Sequence, residues 1–496
     1  MFSRTRTLEF TSLLVLAIIV VACAPAQGTP VPVTGPTASS SLSSSSASVA
    51  PTTAVSSSAS TLSSSSSSAS LSSSSTPPSS SSASSSSSAT SSTTASGTGK
   101  TINVAATWGG SERDAILTVI DAFTAKTGIQ VNYESMRNNE GAILRTRVAG
   151  GNPPDIAFEP RPGEVDEFAR AGNLVNLSTF LPQADLQKAF AQPYLDLGNV
   201  DGKQVGFIFK ANSKSTFWYR AADFKANNWT MPKNLTELTA LADKIVAAGK
   251  VPMVTDGSSA SAWVLSDYLE NTAIRRMTAQ QYNDLYLNHK VAWTDPAAKQ
   301  ALTDFTLFFK PGYQLGGTQG VLSGSFPASI AQVFGPTPKA EMLYEGGFVS
   351  VLVQDVNKNI KPIDEMDFSI FPEGDPQYGD PVMGGGDMAI MFKDSPEARQ
   401  FLQYIISPEA ANVYAATNTI SPNKQIDTTK FTNPLALKEY QQLVNAKTFV
   451  FDGSDMAPSG FGGDHLFTEL QKLVQNPSNV DQIANELETF AKGDYK

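Results

Sequence analysis

Carboxylates beside aromatic rings, set at glycine-rich breaks, are the residues of this chain with chemistry to offer. Glu159 follows Phe158, Glu345 precedes Gly346-Gly347-Phe348, and Asp387 closes the run Gly384-Gly385-Gly386. Paired carboxyl groups can hydrolyse a glycoside, one as acid and the other as base or nucleophile. Glu159, Glu345 and Asp387 are the candidates for that work. The same residue types also suit binding without reaction. A pyranose has an apolar C–H face, which flat rings cover. Its rim of hydroxyls needs carboxylate, amide, ammonium or backbone partners, because buried unpaired hydroxyls are costly. Trp108, Phe158, Trp263, Phe348 and Phe461 each stand at a Gly-rich or loop-like break, and His465 follows Gly460-Phe461-Gly462-Gly463-Asp464 closely enough to reach the same place. Trp218, Tyr219 and Tyr344 read instead as core residues.

Other chemistry lacks its residues. The chain has 2 histidines, His289 and His465, and 1 cysteine, Cys23. A mononuclear metal site built on His and Cys is therefore excluded by count. No CxxC, HExxH, GxxxxGK or GxSxG pattern occurs. The expectation is a protein without catalytic residues, cofactor or metal. A formal net charge of −10 and a pI near 4.9 argue against a nucleic-acid partner, which needs clustered Lys and Arg. They argue equally against a basic membrane-surface patch.

These candidates need a scaffold, and its pivot is Met383-Gly384-Gly385-Gly386-Asp387-Met388-Ala389-Ile390. Consecutive glycines let a backbone come close to whatever lies opposite. The stretch reads either as a flexible turn or as a strand crossing between two lobes and lining a cleft. The order of elements before it favours the strand. Thr101–Ala106 predicts a strand and Thr107-Trp108-Gly109-Gly110 a turn. Ser111 is placed to cap a helix, with Asp114 three residues on. Ile116, Val119, Ile120 and Phe123 give that helix one apolar face, and Gly128 ends it. Ile129–Glu134 alternates like a strand, Glu140–Ala149 predicts a second helix, and Asp155–Phe158 a third strand. Strand–helix alternation implies a parallel sheet with crossover helices. Ligands bind such sheets outside the carboxyl ends of strands, where Trp108-Gly109-Gly110 and Phe158-Glu159 fall. Further on, Phe207–Phe209 and Thr216–Tyr219 read as strands. Helices are expected from Asn234, around Trp263–Arg276, Ala279–Leu287 and Pro296–Phe309, from Ser395, from Ser407, and over Val480–Lys492.

The N-terminus is an export segment. Arg4 and Arg6 precede the short apolar run Leu13–Val21, which is too short for a comfortable span. The run ends in Val20-Val21-Ala22-Cys23, which resembles a bacterial lipobox. Residues 1–22 are thus expected to be a lipoprotein signal peptide and Cys23 the lipidated residue. Residues 23–99, nearly all Ser, Ala, Thr and Pro, lack the apolar surface to offset chain entropy and are expected to form a disordered tether.

Taken together, the lipobox, the Ser-rich tether, the strand–Trp–Gly–Gly–helix start, Asn152-Pro153-Pro154-Asp155-Ile156-Ala157, Gly206–Ser215 through Trp218-Tyr219, Gly384-Gly385-Gly386-Asp387 and Ile420-Ser421-Pro422-Asn423-Lys424 resemble family 1 extracellular solute-binding proteins of carbohydrate ABC importers. Phe449–Pro458 is similar to the α-glucoside-binding branch, although His465-Leu466-Phe467 stands where that branch often carries an aromatic pair. The resemblance implies an α/β, two-lobed periplasmic-binding-protein-like (type II) fold with hinge crossovers. It puts residues 100–210 and 384–424 in a first lobe and 211–383 and 425–496 in a second, closing on ligand like a hinged clamp. It implies these ligand-binding positions: Trp108, Gly109, Gly110, Phe158, Glu159, Lys214, Trp263, Asp267, Glu345, Gly347, Phe348, Gly385, Asp387, Phe461 and His465. The implied partners are a small carbohydrate, the transmembrane subunits of an ABC permease, and the membrane through Cys23. The implied state is a monomer on the outer face of a bacterial cytoplasmic membrane. The rival expectations are a secreted glycosidase, a binder of a non-sugar solute, and a surface sensor or adhesin.

Overall fold

The computed structural model describes residues 100–137 and 140–495. Residues 1–22, expected to be a signal peptide, and residues 23–99, expected to be a tether beginning at Cys23, lie outside the described residues. Among those described, no helix is long and apolar enough to cross a membrane.

The opening alternation folds as its periodicity requires. Strand β1 (Thr101–Ala106) leads into helix α1 (Gly110–Thr127), then β2 (Gln130–Ser135), α2 (Glu140–Ala149), β3 (Ile156–Glu159) and α3 (Pro162–Arg170). β1 pairs in parallel with both β2 and β3. Ile116, Val119, Ile120 and Phe123 bury one face of α1, and Gly128 ends it at φ 74 with its N–H on the Thr124 carbonyl. The start differs from the expected capping box. Gly109 is the N-cap, without a side-chain cap, and Ser111 lies inside the helix. The Ser111 hydroxyl is used elsewhere: it donates to Asp355, remote in sequence.

After a short hairpin, β4 (Asn199–Val200) with β5 (Lys203–Gln204), the chain enters the fully buried strand β6 (Gly206–Ser213). Two residues later β7 (Thr216–Tyr219) begins a second sheet, as the middle strand between β8 (Met342–Tyr344) and β9 (Asp367–Ile370), antiparallel to both. Trp218 and Tyr344 are core residues, as expected, whereas Tyr219 is half-buried with its hydroxyl on Asp367. The chain returns to the first sheet through β10 (Val382–Met391), buried over all 10 residues. β10 runs antiparallel to β3 and β6, and pairs in parallel with β11 (Phe449–Phe451). Arg275 anchors the return by donating to the Phe371 and Pro381 carbonyls at 3.2 and 3.1 Å.

The glycine run is therefore strand, not turn, and close approach is what requires it. A Cβ on Gly386 would lie 2.5 Å from the Lys210 carbonyl oxygen, and one on Gly385 would lie 2.8 Å from Lys214 Cε. The ladder shifts register immediately afterwards, between Asp387 and Met388, which re-aims Asp387. Because the obstacle at Gly386 is backbone, Gly386→Ala must displace β6. A loss of about 1–3 kcal/mol is expected in urea denaturation, the usual cost of overpacking.

A buried carboxyl also sits at this crossover. Glu439, on the helix Pro434–Val444, accepts from the Ser213 N–H at 3.0 Å, and burial pushes its pKa up to about 8. With the folded value raised, the native state binds more protons than the unfolded chain between pH about 4.5 and 8. The stability contributed by Glu439 is thus present below that window and lost as pH rises through it. Glu439→Gln is expected to melt higher than the parent at pH 8.5 and no higher at pH 5, read from paired thermal melts.

Candidate functional site

A cavity of about 340 Å³ opens beside the crossover strands. One wall is built on the carboxyl ends of β1 and β3 and on the middle of β6 and β10. Trp108 leaves β1, Glu159 ends β3, Lys210 projects from β6 and Asp387 from the shifted register of β10. Glu112 joins them from the first turn of α1. The Lys210 ammonium lies 2.7 Å from Glu112, 3.4 Å from Asp387 and 5.4 Å from the centre of the Trp108 ring. Burial alone would lower the Lys210 pKa, but Asp387 and Glu112 outweigh it and hold it above the usual value. Burial raises Asp387, with Lys210 pulling against it. Trp108 is itself wedged against Phe158, with ring centres 4.7 Å apart.

The opposite wall is aromatic. Trp263 opens the helix Trp263–Ile274, and its ring centre lies 5.1 Å from Phe326 and 6.1 Å from Phe348, both edge-on. The floor is ionic. Lys214, in the link between β6 and β7, contacts Asp452 and lies 3.2 Å from Asp267 and 3.6 Å from Asp455. Burial opposes its charge, but Asp267, Asp452 and Asp455 hold the ammonium well above its usual pKa. In turn Lys214 keeps Asp452 below the ordinary carboxylate range despite burial. Burial and then Asp452 push Asp455 up to about 7. Asp267, Glu270 and Asp452 could bring carboxylate oxygens within 4.8 Å of one another. The Lys214 ammonium bonds two of these residues, and the Gly453 and Ser454 N–H groups bond Glu270. The group is a lysine cradle with its own cation.

Of the residues expected from sequence, Trp108, Glu159, Lys214, Trp263, Phe348 and Asp387 line the cavity. The others do not. Asp267 stands behind Lys214, and Gly385 gives the Lys214 stem room to pass. Gly109 offers its carbonyl to Arg137 at 2.8 Å, and Gly110 faces Asp355. Phe158 backs Trp108, and Gly347 belongs to a much smaller neighbouring cavity. Glu345 is buried behind the aromatic wall, both carboxylate oxygens without a hydrogen-bond partner among the described residues. Burial, then Asp267, pushes its pKa well up. Phe461 and His465 are turned away by a π-helical turn, Phe461–His465. The turn directs Phe461 onto Trp293 and Tyr495, and His465 onto Phe490 and Asp494, while Gly463 and Asp464 face the cavity.

The cavity is also lined by residues not expected from sequence, among them the charged Glu112, Arg137, Arg145, Arg161, Lys210, Asp455 and Asp464 and the aromatic Phe326 and Phe467. One signal was available. Lys210 directly follows the apolar run Phe207-Ile208-Phe209, and a lysine is almost never buried without a partner.

The architecture of two sheets joined by crossover strands, with a polar and aromatic cavity beside the crossing, is that of a receptor that holds a solute rather than transforming it. The chain belongs to the bacterial extracellular solute-binding protein family, whose sequence pattern matches residues 109–412. It is 32% identical over 394 residues to the osmoprotective compounds-binding protein GgtB of Synechocystis sp., covering 78% of this chain and 92% of that one. It is 30% identical over 398 residues to the alpha-glucosides-binding periplasmic protein AglE of Rhizobium meliloti, covering 78% and 86%. Among solved structures, the bacterial solute receptor AcbH superposes with a TM-score of 0.70 at 18% identity, covering 80% of this chain and all of that one. Maltose-bound T. maritima MalE3 superposes with a TM-score of 0.65 at 17% identity, covering 79% and 99%. At those identities the structures speak for the fold.

Proposed function

We propose that this protein captures an α-glucoside or related oligosaccharide and delivers it to an ABC permease. The observation that carries this reading is the facing of an aromatic wall, Trp263 with Phe326 and Phe348, by the carboxylate–ammonium wall of Asp387, Lys210 and Glu112. Rings of that kind cover the apolar face of a pyranose, and the charged groups pair its hydroxyls. The sequence kinship to an alpha-glucosides-binding protein supports the same class of ligand. In this reading residues 100–210 and 384–424 form one lobe and 211–383 and 425–496 the other, with β11 of the second joined to β10. The lobes close on the sugar because groups from both contact it only when closed. Cys23 carries the lipid that holds the receptor at the outer face of the cytoplasmic membrane.

Calorimetric titration with maltose, trehalose, sucrose and longer maltodextrins tests this. Saturable heat with at least one of them is the expected result, and absence of heat and thermal shift with every saccharide would overturn it.

A further inference from the structure

Beside the cavity lining, next to Glu112 and at Ser459, the same small device occurs twice, with its parts exchanged. In one, the Asp355 carboxylate takes the Ser111 N–H at 3.0 and 3.2 Å and the Ser111 hydroxyl. In the other, the Glu167 carboxylate takes the Ser459 N–H at 3.0 Å and the Ser459 hydroxyl at 2.9 Å. Ser111 and Glu167 lie on α1 and α3, beside the first sheet. Asp355 and Ser459 come from segments packed with the other body: Val349, Leu352 and Val353 share a core with Trp218 and Phe368, while Phe461 packs on Trp293. Each lobe therefore gives one carboxylate and receives one. A glycine stands beside each pairing and lets the surfaces meet. A Cβ on Gly110 would lie 2.0 Å from the Asp355 carboxylate, and one on Gly163 would lie 2.2 Å from the Ala457 carbonyl oxygen.

We propose that Ser111–Asp355 and Ser459–Glu167 are paired clasps that hold the lobes shut over the bound solute. The proposal rests on the two-lobe reading above. Asp355 and Glu167 are positioning residues, since neither lines the cavity. Both carboxylates are exposed, so water replaces the serine groups when the lobes part, and opening is not blocked. The Asp355 clasp has a further effect. A carboxylate at a helix N-terminus is favoured by the dipole, and the first turn of α1 carries Glu112, with Trp108 just before it. Closing this clasp fixes both against the cavity. The clasps thus act on how long the ligand stays rather than on which ligand enters.

The test uses the full chain and the double variant Asp355→Ala/Glu167→Ala, with each single variant beside it. Loss of exposed charge-assisted bonds of this kind corresponds to about a five- to tenfold faster saccharide release in the double variant, with the association rate little changed. A readout independent of ligand accompanies it. Dyes on Asp121→Cys and Lys225→Cys, in a Cys23→Ser background, report the separation of the lobes by single-molecule energy transfer. The double variant should shift toward longer separations without ligand. Release rates and separations both indistinguishable from the parent would overturn the clasps. If no saccharide binds the parent, the sugar reading fails by itself, and the ligand-free separations still decide the clasps: a shift supports them and no shift overturns them.

Discussion

Trp263→Ala is expected to weaken saccharide binding about thirtyfold, as measured by calorimetry. Trp263 is only half-buried and lines the cavity at the start of its helix, with Phe326 and Phe348 edge-on to it. That geometry holds the indole in one orientation before ligand arrives, so little ordering cost is left to binding. Truncating an aromatic anchor of this kind costs about 2 kcal/mol or more, which is the expected factor. The ligand-free fold should change far less, because the ring is at the edge of the core rather than within it. Trp108→Ala is the contrasting case. It removes a fully buried side chain packed on Phe158 and would confound affinity with a core loss of about 3–5 kcal/mol.

Lys214→Met is expected to be the most damaging single change to stability. It leaves Asp267, Asp452 and Asp455 buried without their ammonium. Breaking a buried pair from one side costs about 3–5 kcal/mol. The pH dependence has a defined sign. In the parent, Lys214 holds Asp452 below its unfolded pKa, so this contribution is present above that unfolded value and is lost as pH falls through the depressed one. In the variant the ammonium is gone, while the Ser454 hydroxyl and Asp455 N–H on Asp452, with Arg161 beside Asp455, still oppose burial; the carboxyls therefore hold their protons to higher pH than in the parent, and stability falls as pH rises. The gap between variant and parent in denaturant midpoint should therefore be wide at pH 8 and narrower at pH 5. Adding Asp452→Asn to Lys214→Met should recover part of the loss at pH 8, since it removes one of the stranded charges.

The sequence made the scaffold legible where periodicity or glycine placement leaves few physical readings. The α1 face of Ile116, Val119, Ile120 and Phe123 buries as its period implies, and of the two readings open for Gly384-Gly385-Gly386 the strand holds, with Gly386 against the Lys210 backbone and Gly384 and Gly385 against the Phe449 and Lys214 side chains. Misreadings arose where a partner distant in sequence decided the outcome. Ser111 looked like a helix cap, yet Gly109 takes that position while Asp355 takes the hydroxyl. Glu345 sits at a Gly-rich break that pointed to the cleft, yet its carbonyl is held by Thr216 and Trp218, and the side chain is buried away from the cavity lining. A π-helical turn changes the facing of consecutive side chains without any marker in composition, so Phe461 and His465 were assigned to a cavity that Gly463 and Asp464 reach instead. The arginines of the rim were invisible for another reason. Arg137, Arg145 and Arg161 leave three different elements and converge only through the order β2, β1, β3 in the sheet.

The central claim is that a saccharide is held, chemically unchanged, between the Trp263 wall and the Asp387 wall. The most direct measurement is a crystal structure of the protein grown with its tightest-binding saccharide. The account predicts ring density against Trp263, hydroxyls within hydrogen-bond reach of Asp387, Lys210 or Glu112, and every glycosidic bond intact. Density elsewhere on the surface, or a cleaved sugar in the cavity, would contradict it.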